Sequence, residues 1–172
     1  RLECSKMVDN DGKIPLHITV DQGHVDIIKE LLQGLTKDER LELLRMKDIN
    51  RDTPLHIAAC LGQVDVIKEL LKYLTKEERL ECLKMKDRYG RTPLHIAVLH
   101  GHVDIINAFL QDLEPEERLE YLKMKDNNGK TPLLIAIEKE HVDVIIAFLQ
   151  GLTKEERLEC LKMKDKYGRT PL

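Results

Sequence analysis

Seven histidines and four cysteines are the side chains of this sequence that could bind a metal ion or act as acid, base or nucleophile. No two cysteines form a C-x-x-C pair, and the "HGH" segment at 100–102 has no acid or cysteine placed beside it in sequence. A zinc or catalytic centre needs several such groups in a defined arrangement. The sequence therefore predicts no catalytic residues, no metal site and no cofactor.

The segment "NNGKT" at 127–131 ends like a phosphate-binding loop. That motif requires another glycine five residues before Gly129, where this chain has Met124. We therefore interpret the segment as a turn. The net charge of −3 gives no basic field for nucleic acid or an anionic membrane, and no apolar run approaches the 18 or so residues of a membrane span. We expect neither partner.

The elements that position these residues are copies of one unit. Proline followed by leucine recurs at Pro15, Pro54, Pro93, Pro132 and Pro171, always 39 residues apart. The repeats are 12–50, 51–89, 90–128 and 129–167, with partial units at 1–11 and 168–172, and we treat 1–172 as one domain. Such a period is typical of stacked repeat proteins.

Each unit carries helical signals. In the third unit, "DRYG" at 87–90 is a turn, Thr92 suits an N-cap and Pro93 suits the first helical position. Gly101 ends this short apolar helix, and a second helix is predicted from about Val103 to Leu110 because apolar residues recur there at helical spacing.

The pattern D-x-x-G-x-T-P-L-H-x-A, followed by glycine and histidine, resembles the ankyrin repeat over essentially the whole chain. The matching residues of the third unit are Asp87, Gly90, Thr92, Pro93, Leu94, His95, Ala97, Gly101 and His102. The resemblance implies an all-α solenoid with a β-turn finger and two antiparallel helices per unit. It also implies a structural role for His17, His56 and His95, whose imidazoles would bridge neighbouring loops.

The unit is longer than the usual ankyrin repeat of about 33 residues. The excess falls in "LTKEERLECLKMKD" at 74–87, which returns unchanged at 152–165 and in looser form at 35–48 and 113–126. Thr75 and Glu78 form a capping box, so we predict a third short helix that buries Leu80 and Leu83. Its charges are interpreted as a solvated surface with pairs four residues apart.

With its added helix, this array is similar to the ankyrin arrays in secreted proteins of intracellular bacteria. Near-identical copies also occur in designed proteins, but Ile14, Arg51, Leu134 and Glu140 depart from the pattern in ways that a designer would avoid.

Cys4, Cys82 and Cys160 share one repeat position and lie 78 residues apart, too far for a disulfide in a regular stack. We expect reduced, buried or half-buried thiols in an intracellular, cytoplasmic protein, which would be host cytoplasm for a bacterial effector.

The copies differ mainly in the fingers and at the end of the first helix, positions that line the concave partner-binding groove of ankyrin proteins. We predict binding of another protein there, without catalysis, through Asp21, Gln22, Asn50, Asp52, Cys60, Leu61, Arg88, Tyr89, Arg91, Leu99, His100, Asn128, Lys130, Glu138, Lys139, Tyr167 and Arg169. Two alternatives stay open: a fragment of a larger effector enzyme, and a natural or engineered scaffold with no evolved partner. We expect a monomer, with end-to-end stacking through uncapped ends as a further option.

Overall fold

The computed structural model describes residues 2–171, and within that range the chain is helical without strands. After a short α1 (Leu2–Ser5), helices come in groups of three, one group per unit. The bounds are α2 (Pro15–Asp21), α3 (Val25–Leu32), α4 (Lys37–Arg45), α5 (Pro54–Leu61), α6 (Val64–Leu71), α7 (Lys76–Leu83), α8 (Pro93–Leu99), α9 (Val103–Leu110), α10 (Pro115–Lys123), α11 (Pro132–Glu138), α12 (Val142–Gln150) and α13 (Lys154–Lys162).

Equivalent helices of consecutive units pack on one another. The first helices α2, α5, α8 and α11 form one layer, and the second helices α3, α6, α9 and α12 form another. Among the third helices, α4 packs on α7 and α10 on α13. One hydrophobic core, mostly aliphatic, runs through all units, so each unit is stabilised by its neighbours, as expected for a solenoid.

In the first three units a buried histidine joins the first helix to the next finger. The backbone N–H and the hydroxyl of Thr53 both lie within hydrogen-bond distance of His56 Nδ1, at 3.2 and 2.8 Å. Because Nδ1 accepts from the N–H, the proton lies on Nε2, which donates to the carbonyl of Arg91 at 3.0 Å. His17 and His95 repeat this bridge. The predicted bridging role of these imidazoles is confirmed.

The fingers are rigid because each is closed by an aspartate and bonded to its neighbour. Asp87 Oδ1 accepts the backbone N–H groups of Tyr89 and Arg91 at 2.8 and 2.9 Å. The N–H of Arg88 donates to the carbonyl of Asn50 at 3.0 Å. Equivalent bonds link the fingers along the array, from the one at Asp11 to the one at Lys166.

The third helix forms as predicted and packs differently. Thr75 and Glu78 cap it reciprocally, and Arg79 donates from Nε to the carbonyl of Leu71 at 3.1 Å. Leu83 and Cys82 are buried in the core, whereas Leu80 is only partly buried. The prediction that Leu80 is buried is therefore wrong, because the neighbouring units cover the face bearing Cys82 and Leu83.

The charges of the third helices pair mainly between units. Lys84 Nζ lies 2.7 Å from Glu120 Oε1 in the next unit, and the equivalent pairs are Lys6–Glu42, Arg45–Glu81 and Lys123–Glu159. Lys86 donates to the carbonyl of Lys125, again one unit further on, at 2.7 Å. These contacts between units occur in place of the expected ion pairs four residues apart within one helix. The repeated stretch thus supplies inter-unit bonds as well as a helix.

The four thiols are free, as their spacing predicts, but their exposure is mixed. Cys82 and Cys160 are buried, whereas Cys4 and Cys60 are exposed. The expectation of buried or half-buried thiols, made for Cys4, Cys82 and Cys160, is therefore wrong for Cys4. Burial raises the pKa of the Cys82 thiol to about 11, so this side chain stays protonated and serves as a small apolar core residue.

Two departures from the repeat pattern leave left-handed backbone without glycine. Arg51 has a φ of 62° and Glu140 a φ of 57°, where the other units have glycine. At the other two departures an apolar side chain takes the place of a polar one and is buried. Ile14, in place of the capping threonine, is fully buried, and Leu134, in place of histidine, is buried while Thr131 caps its N–H directly.

Replacing Arg51 with glycine is expected to raise the free energy of unfolding by about 0.5–1 kcal/mol, because relief of left-handed strain exceeds the entropy that glycine adds to the unfolded chain. Glu140→Gly should behave alike. Gly90→Ala is the opposing control, since an added Cβ would lie 2.8 Å from the backbone nitrogen of Asn127, and it should destabilise. Urea unfolding followed by circular dichroism measures all three, and a less stable Arg51→Gly chain would contradict the assignment of strain.

Candidate functional site

The residues that differ between copies line two neighbouring clefts along the fingers and first helices. The larger cleft, of about 450 Å³, lies between the third and fourth units. Among the predicted site residues it is lined by Tyr89, Arg91, Leu99, Asn128, Lys130, Glu138 and Lys139. We call it the third-to-fourth cleft.

A second cleft, of about 300 Å³, lies across the first three units, and we call it the first-to-third cleft. It is lined by the predicted residues Asp21, Asn50, Asp52, Cys60, Leu61, Arg91 and His100. Arg91 lines both clefts, so they adjoin at its side chain. Gln22, Arg88, Tyr167 and Arg169 line neither, although all four are exposed.

Tyr89 lies beside two guanidinium groups at the centre of the array. Its side chain is 52% exposed, and the Cζ atoms of Arg91 and Arg88 lie 4.6 and 5.2 Å from the centre of its ring. Arg91 is itself held by Asp87 at 2.7 Å. At Tyr167 the equivalent cations are Lys166 and Arg169. Cation–π contacts of this kind help to hold the Tyr89 ring in place, and about half of this side chain stays accessible.

Ion pairs reduce the positive charge that the sequence predicts at the far end. Lys130 Nζ lies 2.5 Å from Glu138 Oε2, and Arg169 lies 3.2 Å from the other oxygen of the same carboxylate. At the opposite end, Lys13 lies 3.7 Å from Asp21. Burial, reinforced by the nearby carboxylates of Asp48 and Asp87, raises the pKa of Asp52 to about 6.

Cys60 and His100 meet in the first-to-third cleft, with Sγ and Nε2 3.5 Å apart. The His100 ring stacks on that of His102, whose Nε2 lies 3.1 Å from the carbonyl of Cys60. Burial raises the pKa of the Cys60 thiol and lowers the pKa of His100. Both groups are therefore neutral near pH 7, so this pair lacks the thiolate and imidazolium of an activated nucleophile.

Other groups that could hold a cofactor are widely spaced. Within residues 2–171, no three His, Cys, Asp or Glu side chains are grouped as a metal site. His102 and His141 contact carbonyls of the preceding unit, at 3.1 and 3.3 Å. The left-handed Gly62 and Gly101 leave room for these rings, because an added Cβ would lie 2.9 and 3.2 Å from them.

Comparison of the copies misses one set of lining residues. The residue after the bridging histidine position is isoleucine in every unit, and Ile57, Ile96 and Ile135 line the two clefts. A search for differences between copies cannot find a residue that is the same in all of them. Ile49, at a finger tip, is 69% exposed and was also missed. An apolar residue directly beside a turn was the available signal.

No helix within residues 2–171 is long and apolar enough to cross a membrane. The family model described as ankyrin repeats (3 copies) matches residues 2–79 and 35–119, which together cover most of the chain. A search of the curated proteins gives no significant match.

Proposed function

Because the chain belongs to the ankyrin repeat family, we propose that it is a protein-interaction module that holds a partner protein along its fingers and first helices, without catalysis of its own. Ankyrin repeats are in general protein-interaction modules. The observation that carries the proposal is the convergence of the residues that vary between copies on two adjoining clefts. The proposed partner surface consists of the lining residues of both clefts together with the finger tips.

The exposed apolar side chains of this surface support the proposal. Tyr89 is 52% and Leu61 46% exposed, and Ile18 is exposed on the first helix of its unit. Large apolar groups of this kind, together with arginine, are typical anchors of protein interfaces. The third helices carry mainly charged side chains, and much of this charge is already paired with the neighbouring unit.

A rigid surface favours binding because less conformational entropy is lost on association. Bonds between adjacent fingers run along the array at 2.9–3.0 Å, and buried histidines bond the fingers at Asp52, Arg91 and Lys130 to the preceding first helix. Tyr89 is further held by its contacts with Arg88 and Arg91. The proposed binding site is therefore formed before the partner arrives.

The charges at the two ends of the array support one orientation of the bound partner. Glu138 holds Lys130 and Arg169, while Lys139 and Lys166 add exposed positive charge beside the third-to-fourth cleft. At the other end, Asp11 and Asp21 are exposed, with Lys13 beside Asp21. We propose that acidic residues of the partner face the fourth unit, so that added salt slows association. Free thiols support a reducing, cytoplasmic setting.

The test begins with a photo-crosslinking amino acid at position 89, which identifies the partner in cells, and the same amino acid at exposed position 158 as the outer-face control. Binding of the purified partner is then measured by calorimetry. Tyr89→Ala and Leu61→Ala should each weaken binding about 10- to 100-fold, because truncation of a central anchor costs about 1–3 kcal/mol.

The matched control is Leu158→Ala on α13. Leu158 and Leu61 are the same residue type with similar exposure, 48% and 46%, but Leu158 is in the repeated third helix. The Leu158→Ala variant should change the dissociation constant of the partner less than about twofold. A control that weakens binding more than the groove variants would place the interface on the outer helices and overturn the proposal.

A further inference from the structure

An apolar cavity of about 290 Å³ lies where the second and third units meet, between α6, α7 and α9. Its walls are the side chains of Leu71, Leu74, Leu83, Phe109 and Leu113, together with Lys76, Arg79, Ala108 and Asp112. It shares no lining residue with the two clefts of the proposed partner surface. We call it the junction cavity.

The equivalent place between the first and second units contains an aromatic ring. There the guanidinium of Arg40 lies over the Tyr73 ring, 4.6 Å from its centre. One unit later, Arg79 and Asp112 take the positions of Arg40 and Tyr73. Arg79 is bonded to the Asp112 carboxylate at 2.9 Å and to the Leu71 carbonyl at 3.1 Å. The ring is therefore missing at the second junction while the arginine remains.

A second substitution enlarges the space. Ala108 lines the junction cavity at the repeat position that Glu69 has in the preceding unit. At the third junction the equivalent residues are Arg118 and Gly151, and an added Cβ on Gly151 would lie 2.2 Å from the guanidinium carbon. Arg118 thus folds over the glycine there. At the second junction Asp112 holds Arg79, and the apolar walls face an open volume.

We propose that the junction cavity binds a small, planar, uncharged aromatic molecule, whose ring lies under Arg79 as the Tyr73 ring lies under Arg40. Apolar cavities of about 150 Å³ bind benzene in other proteins, so the larger volume here accepts a two-ring compound. Leucine and phenylalanine walls bury the ring, and Arg79 adds a cation–π contact.

The charges around the cavity favour an uncharged ligand. Lys76 lies 3.1 Å from Glu114 and 3.2 Å from Glu117, and Arg79 is paired with Asp112. A ligand carboxylate would have to compete with these three acidic groups for the two cations. A neutral ring needs no such exchange, because it contacts the face of the guanidinium and leaves its edge bonded to Asp112.

Indole is the probe for the test, because the chain contains no tryptophan and indole fluorescence reports on the ligand alone. We expect one molecule per chain with a dissociation constant of about 0.1–1 mM, as for a well-buried ligand of about nine non-hydrogen atoms. Binding should shift the methyl NMR signals of Leu74, Leu83 and Leu113. A dissociation constant above about 5 mM would overturn the proposal. NMR shifts confined to residues outside the junction cavity would overturn it too.

The repeats provide reciprocal variants. Asp112→Tyr restores the ring of the first junction and should weaken indole binding at least about tenfold. Tyr73→Asp combined with Glu69→Ala, the reverse pair of changes at the first junction, should open a second cavity and raise the stoichiometry towards two. Asp143→Tyr, on the exposed start of α12, is the matched control and should leave binding unchanged, as should Leu61→Ala in the partner surface.

Circular dichroism checks that each variant folds. If Asp112→Tyr does not fold, Ala108→Glu fills the same cavity with the residue of the preceding unit and should weaken binding to a similar extent. Unchanged indole binding in a folded cavity-filling variant would place the ligand elsewhere and refute the site. The proposed partner-binding function is independent of this outcome, because Leu61→Ala tests it without altering the cavity.

Discussion

Acidification from pH 7 to pH 4 is expected to lower the free energy of unfolding by about 4 kcal/mol, because two buried imidazoles resist protonation in the folded chain. Burial lowers the pKa of His56 and that of His95 to about 4, from an ordinary value of 6.5. Each histidine stabilises the fold fully above pH 6.5, and this contribution is lost as the pH falls towards 4. For each histidine, the lowered pKa corresponds to about 3 kcal/mol of the free energy of unfolding.

The bonding of the two rings explains why protonation is costly. In each ring Nδ1 already accepts a backbone N–H, so a proton there would face a donor. Burial is the main cause of the lowered pKa values. The charged groups that act on the two rings are Asp87, Lys47 and Arg91 for His56, and Asp126 and Lys86 for His95. Burial also lowers the pKa of His17, which adds to the effect in the same direction.

Asp52 acts in the opposite sense. Its pKa is raised to about 6, chiefly by burial, so the folded chain binds this proton more readily than the unfolded chain between pH 6 and about 4. Its contribution therefore grows as the pH falls through that window. Asp52 is partly exposed to water, which limits the offset to about 1–2 kcal/mol. The two histidines together outweigh it.

The measurement is urea unfolding at pH 7.5, 6, 5 and 4, with His56→Leu as the comparison. Leucine is a suitable replacement because Leu134 occupies the same repeat position in the fourth unit and is buried. The variant should be less stable at pH 7.5, since the Arg91 carbonyl loses its donor. Its free energy of unfolding should fall by only about 1–2 kcal/mol by pH 4, because one histidine remains against the offset of Asp52. Identical pH profiles for the two proteins would show that His56 does not stay neutral in the fold.

Replacing Leu83 with alanine is expected to cost about 2–5 kcal/mol, the range for truncating a buried leucine. Leu83 is 2% exposed in the core beneath α7, where it also forms a wall of the junction cavity. The loss removes apolar contacts that hold the third helix to its neighbours. Thermal and urea unfolding measure the change in free energy.

Two leucines on third helices are the controls. Leu80→Ala should cost less than about 1.5 kcal/mol, because this side chain is only partly buried, and Leu158→Ala on α13 should stay within about 0.5 kcal/mol. Equal losses at positions 80 and 83 would contradict the assigned orientation of α7. A loss under about 1 kcal/mol at position 83 would mean that the third helix does not depend on its buried face.

Local chemistry made much of the fold predictable. The capping boxes at Thr36, Thr75 and Thr153 are formed as the sequence indicates, and the second helix of the third unit has its predicted bounds of Val103–Leu110. These features depend on residues within one turn of each other. The bridging histidines were predicted through the family resemblance, since their carbonyl partners lie 35 residues away.

The candidate site was predictable only in part. Residues that differ between copies identified most of the cleft walls, but the isoleucines shared by all copies and the exposed Ile49 were missed. The ion pairs of Glu138 with Lys130 and Arg169 were also not foreseen, because Arg169 is 31 residues further along the chain. A charge count cannot show which cations share one carboxylate.

The sequence alone determined the period of 39 residues, the three helices of each unit and the left-handed positions, including those where Arg51 and Glu140 replace glycine. Each follows from caps, turns and apolar spacing within a short segment. Only the tertiary structure decided which face of the third helix is buried, which charges pair and where a cavity remains. These outcomes depend on contacts between units, and at Asp112 one small side chain in place of a ring leaves space that neighbouring residues do not fill.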